Sequence, residues 1–378
     1  VFYLLSISLF FNYATENGTM EVLGQKLLYA MGGNAKLVPF AIAAVSAIVG
    51  GLGAGASTPA IVGPFAFVMA ATAGVNPVLT AIAITFGNLV GSNNPYNGYG
   101  GSISKNLIIA NGVDEVTTMD WSLKIWFNCC IITIIIIVLF YLVLKGHKAD
   151  KVAMGQRPPA FNPIQKRTVT ILLAAFFLMV VPPILNTWIQ GVAILSTLNQ
   201  LCQPPVIMML GALLCAVLKL GDEKTVIRKI PISTSVMIVG VYSLIKVAAE
   251  AGLVDFISGV LSSSIPRLLV PAAIVLFAAF LSFFSSSTST VMPLMYPMVP
   301  ALAASLSLNP ITLYTCIFFG GLATACSPFS TGGAVCIAAN PYEDQKELLS
   351  NKMIIAALVC PVVTIIAAEL GLFSLFQA

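Results

Sequence analysis

At 378 residues the chain is 58% hydrophobic and only 8% charged, with a mean hydropathy of +0.97. Soluble domains carry about 25% charged residues, so the composition excludes a water-soluble globular protein and describes a membrane protein of many helices. The formal net charge of +4 is small and leaves no basic face for nucleic acid. Eight scattered cysteines show neither CxxC nor metal-ligand spacing, which leaves them as small apolar packing residues.

Val1 to Tyr13 reads as the end of a spanning helix, too short alone for a hydrocarbon core of about 30 Å. A polar stretch with Lys26 and Lys36 follows. The apolar run from Leu37 then meets Gly50-Gly51-Leu52-Gly53-Ala54-Gly55-Ala56-Ser57-Thr58-Pro59 and resumes to Gly74. Glycines and Ser-Thr-Pro at the middle of such a run predict a re-entrant hairpin. Asn76-Pro77 opens a helix that breaks at Gly91-Ser92-Asn93-Asn94-Pro95-Tyr96-Asn97-Gly98. A polar loop with Asp114, Glu115 and Asp120 leads to the clearest span, Trp121 to Leu144. Residues 145–167 form the most basic loop, with Lys145, His147, Lys148, Lys151, Arg157, Lys166 and Arg167. Two spans, 168–188 and 205–220, lead to a second basic loop with Lys224, Arg228 and Lys229. The positive-inside rule puts both loops in the cytoplasm.

From Pro231 the pattern begins again. A span ends at Lys246–Glu250, read as a snorkelling pair, and an amphipathic piece with Leu253, Phe256 and Leu261 follows. A second hairpin has arms 268–284 and 291–306 around Ser285-Ser286-Ser287-Thr288-Ser289-Thr290. Asn309-Pro310 opens a helix broken at Cys326-Ser327-Pro328-Phe329-Ser330-Thr331-Gly332-Gly333. A polar loop, 340–351, precedes the last span, 352–376. At an offset of 233 residues Pro64 falls on Pro297, Asn76-Pro77 on Asn309-Pro310, Gly87 on Gly320, Pro95 on Pro328 and Gly100 on Gly333. Between Gly55 and Gly100, 11 of 46 positions are identical. Proline, Asn-Pro and glycine in register point to duplication rather than to shared apolar composition. Each unit crosses an odd number of times, so the second is inverted. The domains are therefore 1–144, a first inverted repeat; 145–167, the cytoplasmic loop; and 168–378, the second repeat. The two spans at 168–220 have no counterpart in the first unit, which predicts roughly 65 residues holding two further helices before Val1.

The expected fold is an all-α polytopic membrane protein of two inverted repeats, each with a re-entrant hairpin and a broken helix. That pattern points to a secondary transporter with its site near the midplane. Four polar segments converge if tips meet breaks: Gly53–Thr58, Ser92–Asn97, Ser285–Thr290 and Cys326–Gly332. Helix N-termini there suit an anion; unwound carbonyls with Ser, Thr and Asn oxygens suit Na⁺. No Lys or Arg lies in the four segments. All 14 acids lie in loops or near span ends, so a carboxylate proton relay has no candidate and coupling to Na⁺ or simple exchange is favoured. Tyr96 and Phe329 either wall the chamber or pack behind it. An anion channel is the alternative of another class, though no selectivity-filter motif supports it. An intramembrane enzyme would need a base beside its nucleophile, and none lies at depth.

The Ser/Thr-rich tip and the Ser327-Pro328-Phe329-Ser330-Thr331-Gly332-Gly333 break resemble the ion-transporter superfamily, and within it the divalent anion/sodium symporters and malonate-type dicarboxylate carriers. The resemblance covers nearly the whole chain. It implies a homodimer in a bacterial inner membrane, a scaffold and an elevator-like transport domain, and a di- or tricarboxylate substrate, with another organic anion such as a sugar acid as the alternative. It implies no cofactor beyond Na⁺ as coupling ion. Carried over, substrate contacts fall on Ser57, Thr58, Asn94, Pro95, Asn97, Ser287, Thr288, Ser289, Ser327, Pro328, Ser330 and Thr331. Sodium contacts fall on Gly55, Ala56, Ser57, Asn93, Asn94, Ser286, Thr290, Cys326 and Ser330. The family's Ser-Asn-Thr tips are not reproduced: neither tip has the Asn, and the first is Gly/Ala-rich. The second tip is therefore expected to supply most side-chain ligands and the first mostly backbone.

Overall fold

The computed structural model describes residues 2–30, 34–95, 99–148, 158–188, 193–228 and 269–374, with isolated positions between 230 and 266. Every element among the described residues is helical. The first half holds α1 (Phe2–Glu16), α2 (Thr19–Ala30), α3 (Val38–Val49), α4 (Thr58–Thr72), α5 (Pro77–Ser92), α6 (Tyr99–Ala110) and α7 (Glu115–Val143). Next come α8 (Pro163–Trp188), α9 (Ala193–Leu201), α10 (Pro204–Val217) and α11 (Glu223–Arg228). The second half holds α12 (Val270–Phe283), α13 (Met292–Met295), α14 (Val299–Leu306), α15 (Pro310–Ala323), α16 (Thr331–Ala338) and α17 (Glu343–Glu369). By length and composition α7, α17 and the helical run Ser287–Leu306 can each cross a membrane. With its apolar outer helices, this is an integral membrane protein.

The same local devices recur in both halves. Asn76 and Asn309 cap α5 and α15, their side chains accepting from Val78 N at 2.9 Å and Ile311 N at 3.1 Å, with proline at the first helical position. α3 lies along α5 and α12 along α15, both at backbone distance. A Cβ on Gly87 or Gly91 would strike the backbone of Ala43 or Ala47, and one on Gly320 that of Val275. Glycine at these places is what lets the helices touch.

The halves are also tied across. Gly63 of α4 faces Ala339 beyond α16. Tyr296, between α13 and α14, is fully buried against α6, its hydroxyl 2.9 Å from Ser104 Oγ. Asn111 donates to the Tyr296 carbonyl and the Tyr314 hydroxyl, both at 2.7 Å. Among the loops, Asn17 donates to Thr168 Oγ1 and to the Leu220 carbonyl, each at 2.9 Å, and its carbonyl accepts from Gln165 at 3.3 Å. The Asp222 amide donates to Glu16 at 3.2 Å. The loop after α1 and both basic loops thus share one end of the molecule.

Three helices begin earlier than hydropathy implies. α7 starts at Glu115 rather than Trp121, because Asp114 caps it, accepting from Val116 N and Thr117 N at 3.1 and 3.0 Å. α17 starts at Glu343 rather than at residue 352; Glu343 and Asp344 favour the positive helix start, and Lys346, itself buried, pairs with Glu343 at 2.7 Å. α8 starts at Pro163 because Asn162 and Gln165 form a reciprocal cap, at 2.8 and 3.1 Å. Polarity marks where water begins, not where a helix ends. α2 and α9 are helices that hydropathy does not signal. Lys246, the amphipathic piece around Leu253–Leu261 and Tyr96 lie outside the described residues.

Replacing Gly320 by Ala should destabilise the protein by about 1–3 kcal/mol through overpacking against α12, read as a lower melting temperature in detergent. A second expectation concerns acid. The Thr117 side chain and amide hold the Asp114 carboxyl below its ordinary range. Its capping contribution is therefore present above the unfolded pKa of about 4 and lost as pH falls through the lower folded value. Asp114→Asn, which still caps, should flatten the acid limb of melting temperature against pH.

Candidate functional site

Both hairpin tips and both helix breaks meet around one cavity of about 70 Å³. A water's share of liquid is about 30 Å³ and ligand pockets run to about 300–1,000 Å³, so this cavity is small, and it is partly open, with Ala56 and Thr331 exposed. The first tip contributes Ala56, and the first broken helix Asn88, Leu89, Ser92 and Asn93; Gly100 heads α6. α12 and the second tip contribute Ser282, Ser285, Ser286, Ser287 and Thr288. The second break contributes Ala325, Ser330, Thr331 and Gly332. No Lys, Arg, His, Asp or Glu lines it among the described residues.

Local chemistry explains each turn. Gly55 sits at φ +50°, ψ −125°, a backbone open to glycine alone, and it turns the π-helical segment Gly50–Ala54 into α4. At the second tip Ser286 Oγ accepts from Ser289 N at 3.3 Å. At the second break Ser330 caps α16, accepting from Gly333 N at 3.2 Å, while its proton is shared between the carbonyls of Ala325 and Ser327 at 2.8 Å. Ser327 donates to the Phe283 carbonyl at 2.6 Å and accepts from Phe329 N at 3.2 Å. Ser282 donates to the Gly321 carbonyl at 2.6 Å, Ser285 to that of Leu281 at 2.7 Å, and Thr324 to that of Ala279 at 3.1 Å. Ser282, Ser285, Ser327 and Ser330 thus have their protons committed to backbone, and toward a ligand they offer lone pairs.

The first half offers amides instead. Asn93 Nδ2 donates to the Leu89 carbonyl at 2.8 Å, which fixes the amide's orientation. Its Oδ1 and that of Asn88 are buried without a hydrogen-bond partner, the residues being 3% and 7% exposed. An unsatisfied buried acceptor costs about 1–3 kcal/mol. The hydroxyls of Thr58 and Thr290 are likewise buried and partnerless, though neither residue lines the cavity. Neutral amide and hydroxyl oxygens fit a hard monovalent cation, so the donor set accommodates Na⁺.

Of the positions expected from sequence, the cavity gathers Ala56, Asn93, Ser286, Ser287, Thr288, Ser330 and Thr331. Gly55, Thr58, Asn94, Pro95, Ser289, Thr290, Cys326, Ser327 and Pro328 stand outside its lining. Asn97 falls outside the described residues, as does the Ser57 side chain. Phe329 packs on Phe283 and Phe284 at ring distances of 5.7 and 5.8 Å, forming part of the support behind the break. The lining also takes in Ser92 and Ser285, from the polar segments expected to converge, and Asn88, Gly100 and Ser282, which lie outside those segments. For Asn88 the available signal was spacing: it is one helical turn before Ser92 within α5, so the two share a face.

An all-helical membrane protein whose broken helices enclose a neutral polar chamber is, in class, a membrane transporter. The chain belongs to the citrate transporter family: the family model described as citrate transporter matches residues 1–318. That family is one of secondary carboxylate transporters, not of enzymes, and lies within the ion-transporter superfamily. The match is to citrate carriers and does not reach the narrower likeness to sodium dicarboxylate symporters or malonate carriers. No curated protein matches the chain.

Ser327→Ala should leave the Phe283 carbonyl unpaired and lower stability by about 1–3 kcal/mol. Thr331→Ala, exposed and without a backbone partner to lose, should spare the melting temperature and change substrate affinity. Melting curves beside uptake assays on both variants check the contrast.

Proposed function

We propose that this chain carries citrate or a related di- or tricarboxylate across the membrane, coupled to Na⁺, with the chamber among the four breaks as its binding site. The observation that carries the reading is the convergence of Ala56, Asn93, Thr288 and Thr331, from four separated segments, on one cavity with no charged side chain among its described lining residues. The carboxylates meet the start of α16 and the second-tip hydroxyls of Ser287 and Thr288. The amide and serine oxygens hold the cation, whose charge offsets part of the substrate's. The repeated capping, glycine contacts and offset of 233 support two inverted repeats, the architecture that gives alternating access around a midplane site; the elevator-type movement and the homodimer rest on the resemblance to the ion-transporter superfamily. The pairing of Glu16, Asn17, Gln165 and Asp222 at one end supports a cytoplasmic face there, in a bacterial inner membrane.

Radiolabelled citrate uptake into proteoliposomes tests this. Uptake should saturate, require an inward Na⁺ gradient and fall to background when choline replaces Na⁺. Ser287→Ala/Thr288→Ala should abolish uptake with melting temperature retained. Full uptake by that double variant, or uptake unchanged under every cation, defeats the proposal.

A further inference from the structure

The two breaks are held by different partners. In the second half the ties run within one pair of helices. Ser282 of α12 donates to the Gly321 carbonyl of α15, while Thr324 and Ser327 of the break donate to the carbonyls of Ala279 and Phe283 in α12. In the first half the tie comes from a later helix. A continuing α5 would give the Asn94 amide to the Val90 carbonyl four residues back; that amide bonds the Gly91 carbonyl instead, at 3.2 Å. The indole Nε1–H of Trp126, on α7, donates to the Val90 carbonyl at 2.8 Å. One turn further along α7, Cys129 Sγ lies 3.9 Å from the Leu89 carbonyl. The same carbonyl takes the Asn93 amide and side chain at 3.2 and 2.8 Å. α7 thus reaches two successive carbonyls of the turn whose side chains Leu89, Ser92 and Asn93 line the cavity. Trp126 is not itself among the described lining residues.

We propose that Trp126 is a positioning residue for transport: its N–H holds the unwound end of α5 in the register that presents Ser92 and Asn93 to the substrate. The inference rests on the reading of this chamber as the carboxylate site, and it is independent of which ion is coupled. An indole reaches further than a hydroxyl and carries one donor and no acceptor, so it answers one oxygen from the next helix without adding an unpaired group. Without that N–H the Val90 carbonyl becomes an unmatched acceptor at membrane depth. The turn then keeps only the weak Cys129 thiol as a donor from α7.

The test removes the proton and keeps the ring. In the full chain Trp126 is replaced by benzothienylalanine, which retains the fused rings and carries sulfur where the N–H stands. Citrate uptake into proteoliposomes should show KM raised by about tenfold. The kcat should change by less than about twofold, the pattern of lost binding rather than lost turnover. Amide exchange read by mass spectrometry, with no citrate present, should quicken over residues 88–95 and stay as in the unmodified protein over 324–331. Trp126→Phe, which also loses the N–H, should raise KM at least as much wherever it folds. A lower melting temperature with KM unchanged marks a merely structural side chain and overturns the inference. A raised KM with exchange over 88–95 unchanged overturns it too, because the effect then passes elsewhere. Absence of citrate uptake by the unmodified protein defeats the proposed function instead. Exchange over 88–95 in the benzothienylalanine protein then decides the tie alone, which stands if exchange is faster and falls if it is not.

Discussion

A backbone carbonyl without a partner is intolerable in lipid, and the interruptions of the second half depend on side chains answering that demand. Unwinding α15 and turning the second hairpin both leave carbonyls unmatched. Ser282, Ser327, Ser330 and Thr324 cover those of Gly321, Phe283, Ala325 and Ala279, reaching from arm to break and back. The hydroxyls that read as a polar oddity are therefore structural first. Because a hydroxyl has one proton and two lone pairs, covering the backbone also sets what remains for a ligand. Structure and selectivity follow from the same proton.

That demand explains why the two halves are alike in architecture and unlike in chemistry. Caps, proline placement and glycine contacts are set by helix packing and recur. What lines the chamber is free to differ, and it does: amides on one side, hydroxyls on the other. Citrate carriers handle a multiply charged anion, and among the described residues this chamber has no fixed cation with which to meet it. A neutral lining places the burden of charge on helix ends and on whatever small cation enters.

Much of the architecture was legible in the residues. Asn-Pro at 76–77 and 309–310, together with the glycine and serine clusters, marked where helices start and where the apolar runs are interrupted in both halves, because these residues act locally and have few other uses in an apolar span. Helix starts at Glu115, Pro163 and Glu343 were obscured because hydropathy records lipid, whereas capping by Asp114 and Asn162 records hydrogen bonding. At the site, residues flagged by unusual backbone chemistry came close to the chamber, but which side chains line it depends on helix rotation. Asn88 illustrates this: it lies before the break, in an apolar sequence, and only its place on the face of Ser92 brings it in. Ser327 illustrates the converse, a residue in the right segment whose hydroxyl is taken by a neighbouring carbonyl.

The glycine contacts have a mechanical consequence. Side chains between two helices act as a compliant layer that can repack when one helix slides. At Gly87, Gly91 and Gly320 that layer is absent, and main chain rests on main chain. Close-packed interiors transmit strain rather than absorb it. α3 with α5, and likewise α12 with α15, therefore form stiff pairs, and a load applied to one helix is borne by its partner.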